Sequence, residues 1–344
     1  MPVKRKKKQP KRPKVNPRHH EGHLPPPGKI HGGKGDGKGK IIREMYPDPL
    51  DYVMNVEAFG GLASVMLNLP TIGTILTDGS SLARVDIYVD ANPRLVQMFT
   101  TLGDIKLHAA IIHKMANTPY SDELHKMSID TAAWQKLRDP VEKMWWTFIM
   151  YAMSYSGRTE SDPKPGEESY RAACMSHAGK RPRRGIAETV SAFREKCDIH
   201  APDWMEIIKQ WECISQMSGL AAIRKYNKKR GDLVMYYLDP PYLPSTRQEG
   251  SRELYHGYEM TDTDHEELLQ LINTVDGKVL LSGYPSDMYD DYLKRSNGWH
   301  RFQWEAPRQG SAAGAKKSWA KETLWFNYPP PKQLPNATKG VLLF

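Results

Sequence analysis

A carboxylate, two residues without a backbone N–H and a phenol ring follow one another at Asp239-Pro240-Pro241-Tyr242, directly after the apolar run Leu233-Val234-Met235-Tyr236-Tyr237-Leu238. A buried strand that ends this way sets a carboxylate at the carboxyl edge of a sheet, where open α/β sheets bind ligands. Proline removes donors and stiffens the exit, which leaves nearby carbonyls free to accept from a ligand. Asp239 and the Pro240 carbonyl suit the two N–H bonds of an exocyclic amine, with Tyr242 stacked on the planar base that bears it. Such an amine is conjugated with its ring and is a poor nucleophile. Two acceptors on its hydrogens favour a pyramidal nitrogen, an interaction that strengthens toward the transition state of in-line attack on an electrophilic methyl group. The same tetrapeptide also serves as an ordinary strand-terminating turn; the buried strand before it favours the chemical reading.

A second constellation lies upstream at Asn55-Val56-Glu57-Ala58-Phe59-Gly60-Gly61-Leu62-Ala63-Ser64. Glycines after a first strand let a ligand approach the backbone, and a second strand, Arg84 to Val89, ends about 30 residues later in Asp90, where a ribose diol would be bound. Asp90-Ala91-Asn92-Pro93 also reads as an N-capping turn for a following helix, and both roles are compatible.

The elements that position these residues can be read from the same pattern. Tyr52 to Val56, Arg84 to Val89, Leu233 to Leu238 and Lys278 to Leu281 are short, Val/Ile/Leu/Tyr-rich runs bounded by turn residues, and predict buried strands. Helices are predicted from Ile41 to Met45, Ala63 to Leu69, Ser286 to Leu293, and Met260 to Ile272 with Thr261 as N-cap. This alternation gives an α/β sheet with parallel strands, closed by an antiparallel pair at His300 to Trp304 and Thr323 to Asn327. Residues 95–205 carry aromatic and Met-rich positions at helical spacing, among them Trp145, Trp146, Phe148 and Ile149, and predict a mainly helical insertion separate from the sheet.

Of 344 residues, 49 are Lys or Arg and 40 Asp or Glu, a net +9. The first 40 residues alone hold 13 of the basic residues against Glu21 and Asp36, a local +11, so the remainder is close to neutral. Residues 1–29, with Lys4-Arg5-Lys6-Lys7-Lys8 and Pro25 to Pro27, predict a disordered basic tail that raises non-specific affinity for nucleic acid. No apolar run reaches the ~18 residues of a membrane span, and the chain opens without the apolar core of a secretory signal. The three cysteines lack CxxC spacing, which fits a reducing compartment and gives no support for a zinc site.

The order of Gly32-Gly33-Lys34, Val56 to Gly61, Asp90-Ala91-Asn92, a helical insertion, Asp239 to Tyr242 and Leu281-Ser282-Gly283-Tyr284 resembles the Dam-like DNA adenine N6-methyltransferases, in their bacteriophage and prophage branch, from about residue 30 to 328. The resemblance implies a Rossmann-like S-adenosylmethionine-dependent methyltransferase sheet with an inserted helical target-recognition domain. Residues 30–94 and 206–330 would form the catalytic domain, 95–205 the insertion and 331–344 a C-terminal tail. It further implies S-adenosyl-L-methionine as cofactor and double-stranded DNA as partner, with no metal, and a cytoplasmic monomer.

By the same resemblance Asp239, Pro240 and Tyr242 are catalytic, and Lys34, Glu57, Phe59, Gly61 and Asp90 bind the cofactor. Glu212 is a candidate for the acid near the cofactor's adenine. The chain departs from the family at Ala58, where proline is usual, and at Leu62 and Ala63, where further glycines stand. The added side chains would tighten the loop, weaken cofactor affinity or mark an inactive copy. On the DNA side, Arg158 and the cluster Arg181, Arg183 and Arg184 are candidates for phosphate or base contacts, or for a solvated loop. The Arg247 to Glu259 loop, with Tyr255, His256 and Tyr258, would fold over an extruded base or merely connect two elements. Alternatives that stay open are a degenerate DNA-binding copy of the fold and methylation of another amine, such as cytosine N4 or RNA adenine.

Overall fold

Strands buried on both faces read as unbroken apolar runs. The computed structural model places two such runs, Met54–Glu57 (β1) and Val234–Leu238 (β6), side by side in parallel, with Val56 opposite Tyr236. The structure describes residues 23–30, 33–70, 73–75, 81–154, 186–246, 257–307 and 319–343. Outside β1 stand Val85–Asp90 (β4) and Cys213–Gln216 (β5), and outside β6 stands Lys278–Gly283 (β7), all parallel. His300–Pro307 (β8), Trp319–Phe326 (β9) and Val341–Leu342 (β10) extend the β7 side with antiparallel pairing. The eight-stranded order is β10-β8-β9-β7-β6-β1-β4-β5. A small hairpin, Gly73–Ile75 (β2) with Ser81–Ala83 (β3), forms a separate sheet.

The chain runs from β1 outward through β4 to β5 and then returns to the other side of β1 at β6. The strand order therefore reverses at β1, and a crevice opens beyond the carboxyl ends of β1, β4 and β6, the place where such sheets bind ligands.

Register decides which side chains share a face. Val56, Ile87 and Tyr236 lie on one, covered by Gly219–Arg230 (α9), Asp262–Ile272 (α10) and Asp287–Tyr292 (α11) through Leu220, Ile223, Leu268 and Tyr289. Glu57, Tyr88 and Tyr237 lie on the other. There Asp36–Glu44 (α1) packs Ile41 and Ile42 on Tyr237, Leu280, Leu324 and Phe326. Over β4 the same face carries a helical layer: Pro93–Gly103 (α2), His108–Ala116 (α3), Asp122–Ile129 (α4), Thr131–Lys136 (α5), Pro140–Met153 (α6), Ile186–Glu195 (α7) and Ala201–Ile208 (α8). Full burial of side chains such as Phe99, Phe148 and Trp204 is worth about 1.5–3 kcal/mol each.

Four sequence expectations need correction. The helical interval is not separate from the sheet: Tyr88 of β4 belongs to its core, stacked on Trp211 at 5.6 Å and tilted against Phe99 of α2 at 4.7 Å. Helices α2 to α8 thus all lie in the connection between β4 and β5, two neighbouring strands of one sheet. The predicted Ala63–Leu69 helix shrinks to a single 3-10 turn at Met66–Asn68, because Gly61 and Ala63 adopt left-handed backbone (φ +51 and +53) that no α-helix tolerates. The third is that β10 extends the sheet into residues 331–344, the segment expected to be a C-terminal tail.

The fourth correction concerns residues 23–29, which are held in place rather than forming part of a disordered tail. Leu24 N–H donates to Asn68 Oδ1 at 2.7 Å, and Asn68 Nδ2 returns a bond to the Leu24 carbonyl. The Trp204 indole donates to the Pro25 carbonyl at 2.8 Å, and the Lys196 ammonium to that of Pro26 at 2.7 Å. Gly28 lies so close to Tyr151 that a Cβ would stand 2.3 Å from its side chain. A proline run has little chain entropy to lose and leaves its carbonyls exposed, so outside donors can fix it without apolar bulk. Among the described residues, no helix is long and apolar enough to cross a membrane.

A chain beginning at residue 31 is therefore expected to be less stable than one beginning at residue 23, by about 3 kcal/mol from the lost hydrogen bonds and Leu24 packing. The urea midpoints of the two truncated proteins measure this; equal midpoints would show that the segment adds nothing to the fold.

Candidate active site

Three carboxylates converge because each ends, or directly follows, one of three adjacent parallel strands. Glu57 closes β1, Asp90 closes β4 and Asp239 follows β6. They line a cavity of about 340 Å³ together with Glu259, on the approach to α10, and Asp264 in its first turn. Among the described wall residues, the one cationic side chain is Lys34.

The loop after β1 is shaped by close approach. Gly60 N–H donates to the Val89 carbonyl at 2.8 Å, and a Cβ on Gly60 would stand 2.2 Å from the Tyr88 ring, so glycine is required there. Gly61 takes left-handed φ, donates its N–H to Asp90 Oδ2 at 2.7 Å, and accepts the Tyr88 hydroxyl on its carbonyl at 2.7 Å. A Cβ on Gly61 would meet nothing within 4 Å, so at this wall residue the backbone itself borders open space. Ala63 adopts the same left-handed region without glycine's freedom, at a strain of ~1 kcal/mol. Leu62 and Ala63 are buried in the core of the helical layer, so their side chains are used for packing there. Phe59 lies against Gly219, where a Cβ would stand 2.3 Å from its ring, and so fixes the start of α9 as another wall.

Asp90 receives the Gly61 N–H on one oxygen and the Asn92 N–H on the other, also at 2.7 Å. Each oxygen keeps a second lone pair, enough for a vicinal diol. Burial raises the Asp90 pKa, and its backbone donors oppose that rise.

Asp239 pairs with the Lys34 ammonium at 2.6 Å. Lys34 also donates to the Tyr242 hydroxyl at 2.7 Å, and that hydroxyl donates to Glu322 Oε2 at 3.1 Å. Glu322 is buried and forms a close ion pair with Lys38 of α1. The Tyr242 ring meets Tyr284 edge-on, with centroids 4.6 Å apart. Desolvation raises the Asp239 pKa, while Lys34 holds it down. Glu57 is shifted up much further, by its own burial and then by the charge of Asp239; a bond from Met66 N–H at 3.2 Å opposes this. Among the described wall residues the cavity thus gathers five carboxyl groups and one ammonium.

The structure brings Lys34, Glu57, Phe59, Gly61, Asp90 and Asp239 onto one cavity wall. Lys34, expected beside the cofactor, is bonded to the catalytic-motif residues Asp239 and Tyr242. Pro240 is buried, and Pro241 forms the wall in its place. Tyr242 stands behind the Lys34–Asp239 pair, its hydroxyl already engaged. Glu212 is a correction: it is exposed and lies at the opposite, amino-terminal edge of β5, where its N–H bonds to Asp86. The carboxyl end of β5 instead delivers Ser218 and Gly219 to the cavity. Arg158, Arg181, Arg183, Arg184, Tyr255 and His256 lie outside the described residues, whereas Tyr258 lines the cavity.

Sequence reasoning missed Lys38 and Glu322. Their signal was available in β9, where Ala320, Glu322, Leu324 and Phe326 alternate on one face, so a carboxylate stands in phase with apolar core residues. Among the described residues, no three His, Cys, Asp or Glu side chains are placed to hold a metal ion.

Because the folded pKa of Glu57 is raised, its contribution to stability is greatest below the ordinary carboxylate range and declines as pH rises. Glu57→Gln keeps an acceptor for Met66 N–H and removes the ionisation. It is expected to stabilise the protein by about 1–2 kcal/mol at pH 8 and by much less at pH 5. Thermal midpoints at the two pH values check this, and a variant less stable than wild type at pH 8 contradicts it. No family model matches the chain and no curated protein matches it, so its function has to be argued from this geometry.

Proposed function

We propose that the protein is an S-adenosylmethionine-dependent methyltransferase acting on the N6 amine of adenine in double-stranded DNA. The observation that carries this reading is the cavity at the strand-order reversal, walled among the described residues by five carboxyl side chains and one lysine. Phosphorylated cofactors, which doubly wound sheets often bind at the same place, would be repelled there. A nucleoside of matching size that carries positive charge fits the donor and acceptor set.

In this assignment Asp90 accepts from a ribose diol, Gly61 and Phe59 border the nucleoside, and Glu57 and Asp239 offset the positive charge. When bound, S-adenosylmethionine supplies an electrophilic methyl group on a cationic sulfur. Asp239 accepts an N–H of the adenine amine, and Lys34 on Oδ1 orients the carboxylate and opposes the rise in its pKa, leaving Oδ2 for the base. The amine inside a base pair cannot reach a carboxylate at the bottom of a cavity, so the adenine must be extruded from the duplex. The helical layer, and the arginines Arg158, Arg181, Arg183 and Arg184 that fall between α6 and α7 in the sequence, are assigned to target recognition on the resemblance alone.

Incubation with methyl-labelled cofactor and duplex DNA, followed by digestion to nucleosides, is expected to yield N6-methyladenine. Asp239→Ala should slow transfer by at least about 100-fold. Label on cytosine, or only on RNA, would move the protein to another amine, and no label with no cofactor binding would identify a degenerate copy. Binding is expected to depend on pH as well. A cationic ligand favours ionised Glu57 and Asp239, so it drives off protons, and its affinity rises with pH. Calorimetry from pH 5 to pH 8 should show this rise together with proton release to the buffer; a flat affinity removes the electrostatic argument.

A further inference from the structure

Glu322 is a carboxylate only 2% exposed, in the middle of a strand, and it takes no part in the chemistry assigned above. Desolvating such a group is unfavourable by several kcal/mol unless close partners compensate. Its partners are distant in sequence. One oxygen meets Lys38, the other accepts the Tyr242 hydroxyl, and that hydroxyl in turn accepts from Lys34, the partner of Asp239. The strand neighbours of Glu322 on its face, Leu324 and Phe326, are core residues, and an apolar side chain would satisfy packing there. Retaining a charge at this position makes sense if it holds something that must not rotate.

We propose that Glu322 is the positioning residue for the Tyr242 ring. The Tyr242 ring meets Tyr284 edge-on and has the Lys34 ammonium 4.7 Å from its centroid, contacts with its faces and edge that leave the hydroxyl end to be set by its own acceptor. Donation from its hydroxyl to a buried, charged acceptor is a strong, directional tether at the far end of the ring. The Lys38 ion pair anchors that acceptor to α1, whose approach segment carries Lys34. One buried carboxylate therefore sets the plane of the Tyr242 ring behind the Lys34–Asp239 pair and, through its hydroxyl, the position of the ammonium beside Asp239. That role rests on the proposed function for its consequence in catalysis, but not for the tether itself.

The experiment reads the two separately. In protein labelled with ring-¹³C tyrosine, the resonance lost in Tyr242→Phe belongs to Tyr242. Glu322→Gln is expected to displace that resonance, whereas Glu305→Gln, which breaks a surface pair with Lys339, leaves it in place. Should Glu322→Gln alone fail to fold, Lys38→Met/Glu322→Gln removes the unpaired ammonium and is expected to give the same displacement. An unmoved resonance overturns the proposal.

In methyl transfer, Tyr242→Phe and Glu322→Gln should each lower kcat by about 10- to 100-fold with cofactor affinity unchanged, as expected from a misplaced base. The double variant should be no slower than the slower single one. Losses that multiply would show that Glu322 supports the fold generally, and would also overturn the proposal. If wild type labels no adenine, the functional reading fails while the tyrosine resonance still decides the tether.

Discussion

The site depends on the ion pair between Lys34 and Asp239. Ending parallel strands in carboxylates at one crevice places like charges close together in a poorly solvated pocket, which is unfavourable for each of them. Glu57 shows the consequence, with a pKa well above the usual carboxylate range. Asp239 escapes the full effect because an ammonium is delivered to it from outside the sheet. That ammonium must be carried by a segment held firmly enough to bear its own desolvation, since Lys34 is itself only 4% exposed.

This requirement gives the N-terminal segment its path. Leu24 and Ile30 pack against the core of the helical layer, and Ile41 and Ile42 pack against the core formed with β7, β8 and β9. Both cores lie on the same face of the sheet, with Glu57 between them, so the connection from residue 24 to α1 has to pass along the edge where the crevice opens. The prolines suit such a crossing because they keep the chain extended while their carbonyls take donors from Trp204 and Lys196. The cavity is thereby built from the sheet, the helical layer and the N-terminal segment together.

Much of the sheet could be read in the sequence because its central strands are buried on both faces and bounded by turn residues. Val234–Leu238 and Lys278–Gly283 form where the apolar runs lie, and Asp239, Asp90 and Glu57 stand at strand ends as the pattern implies. Strand β5 escaped because Cys213-Ile214-Ser215-Gln216 is half-exposed and polar in part, an edge strand with little pattern of its own. The order of residues 24–29 was hidden for a different reason. It depends on hydrogen bonds from Trp204 and Lys196, residues that no local rule connects to a proline run. Glu322 was visible as an anomaly, but its partners at positions 38 and 242 become neighbours only when β9 is placed two strands from β6.

The junction between the helical layer and the sheet has a comparable economy. Asn92 caps α2 by accepting the Arg94 N–H at 2.9 Å, while its amide nitrogen donates to the Tyr151 hydroxyl at 3.3 Å. Its own N–H is bound by Asp90, whose other oxygen holds Gly61. Tyr151 lines the cavity and packs on Gly28, and its carbonyl receives the N–H of Lys29. A displacement of α6 that moved Tyr151 would therefore bear at once on the turn that carries Asp90 and on the segment that leads to Lys34. Because packed interiors do not deform smoothly, such a displacement would be transmitted as a shift of both groups rather than absorbed between them. The helical layer and the carboxylates of the sheet are in that sense one mechanical unit, with the Asn92–Tyr151 contact joining them beside the cavity and Tyr88 joining them beneath it.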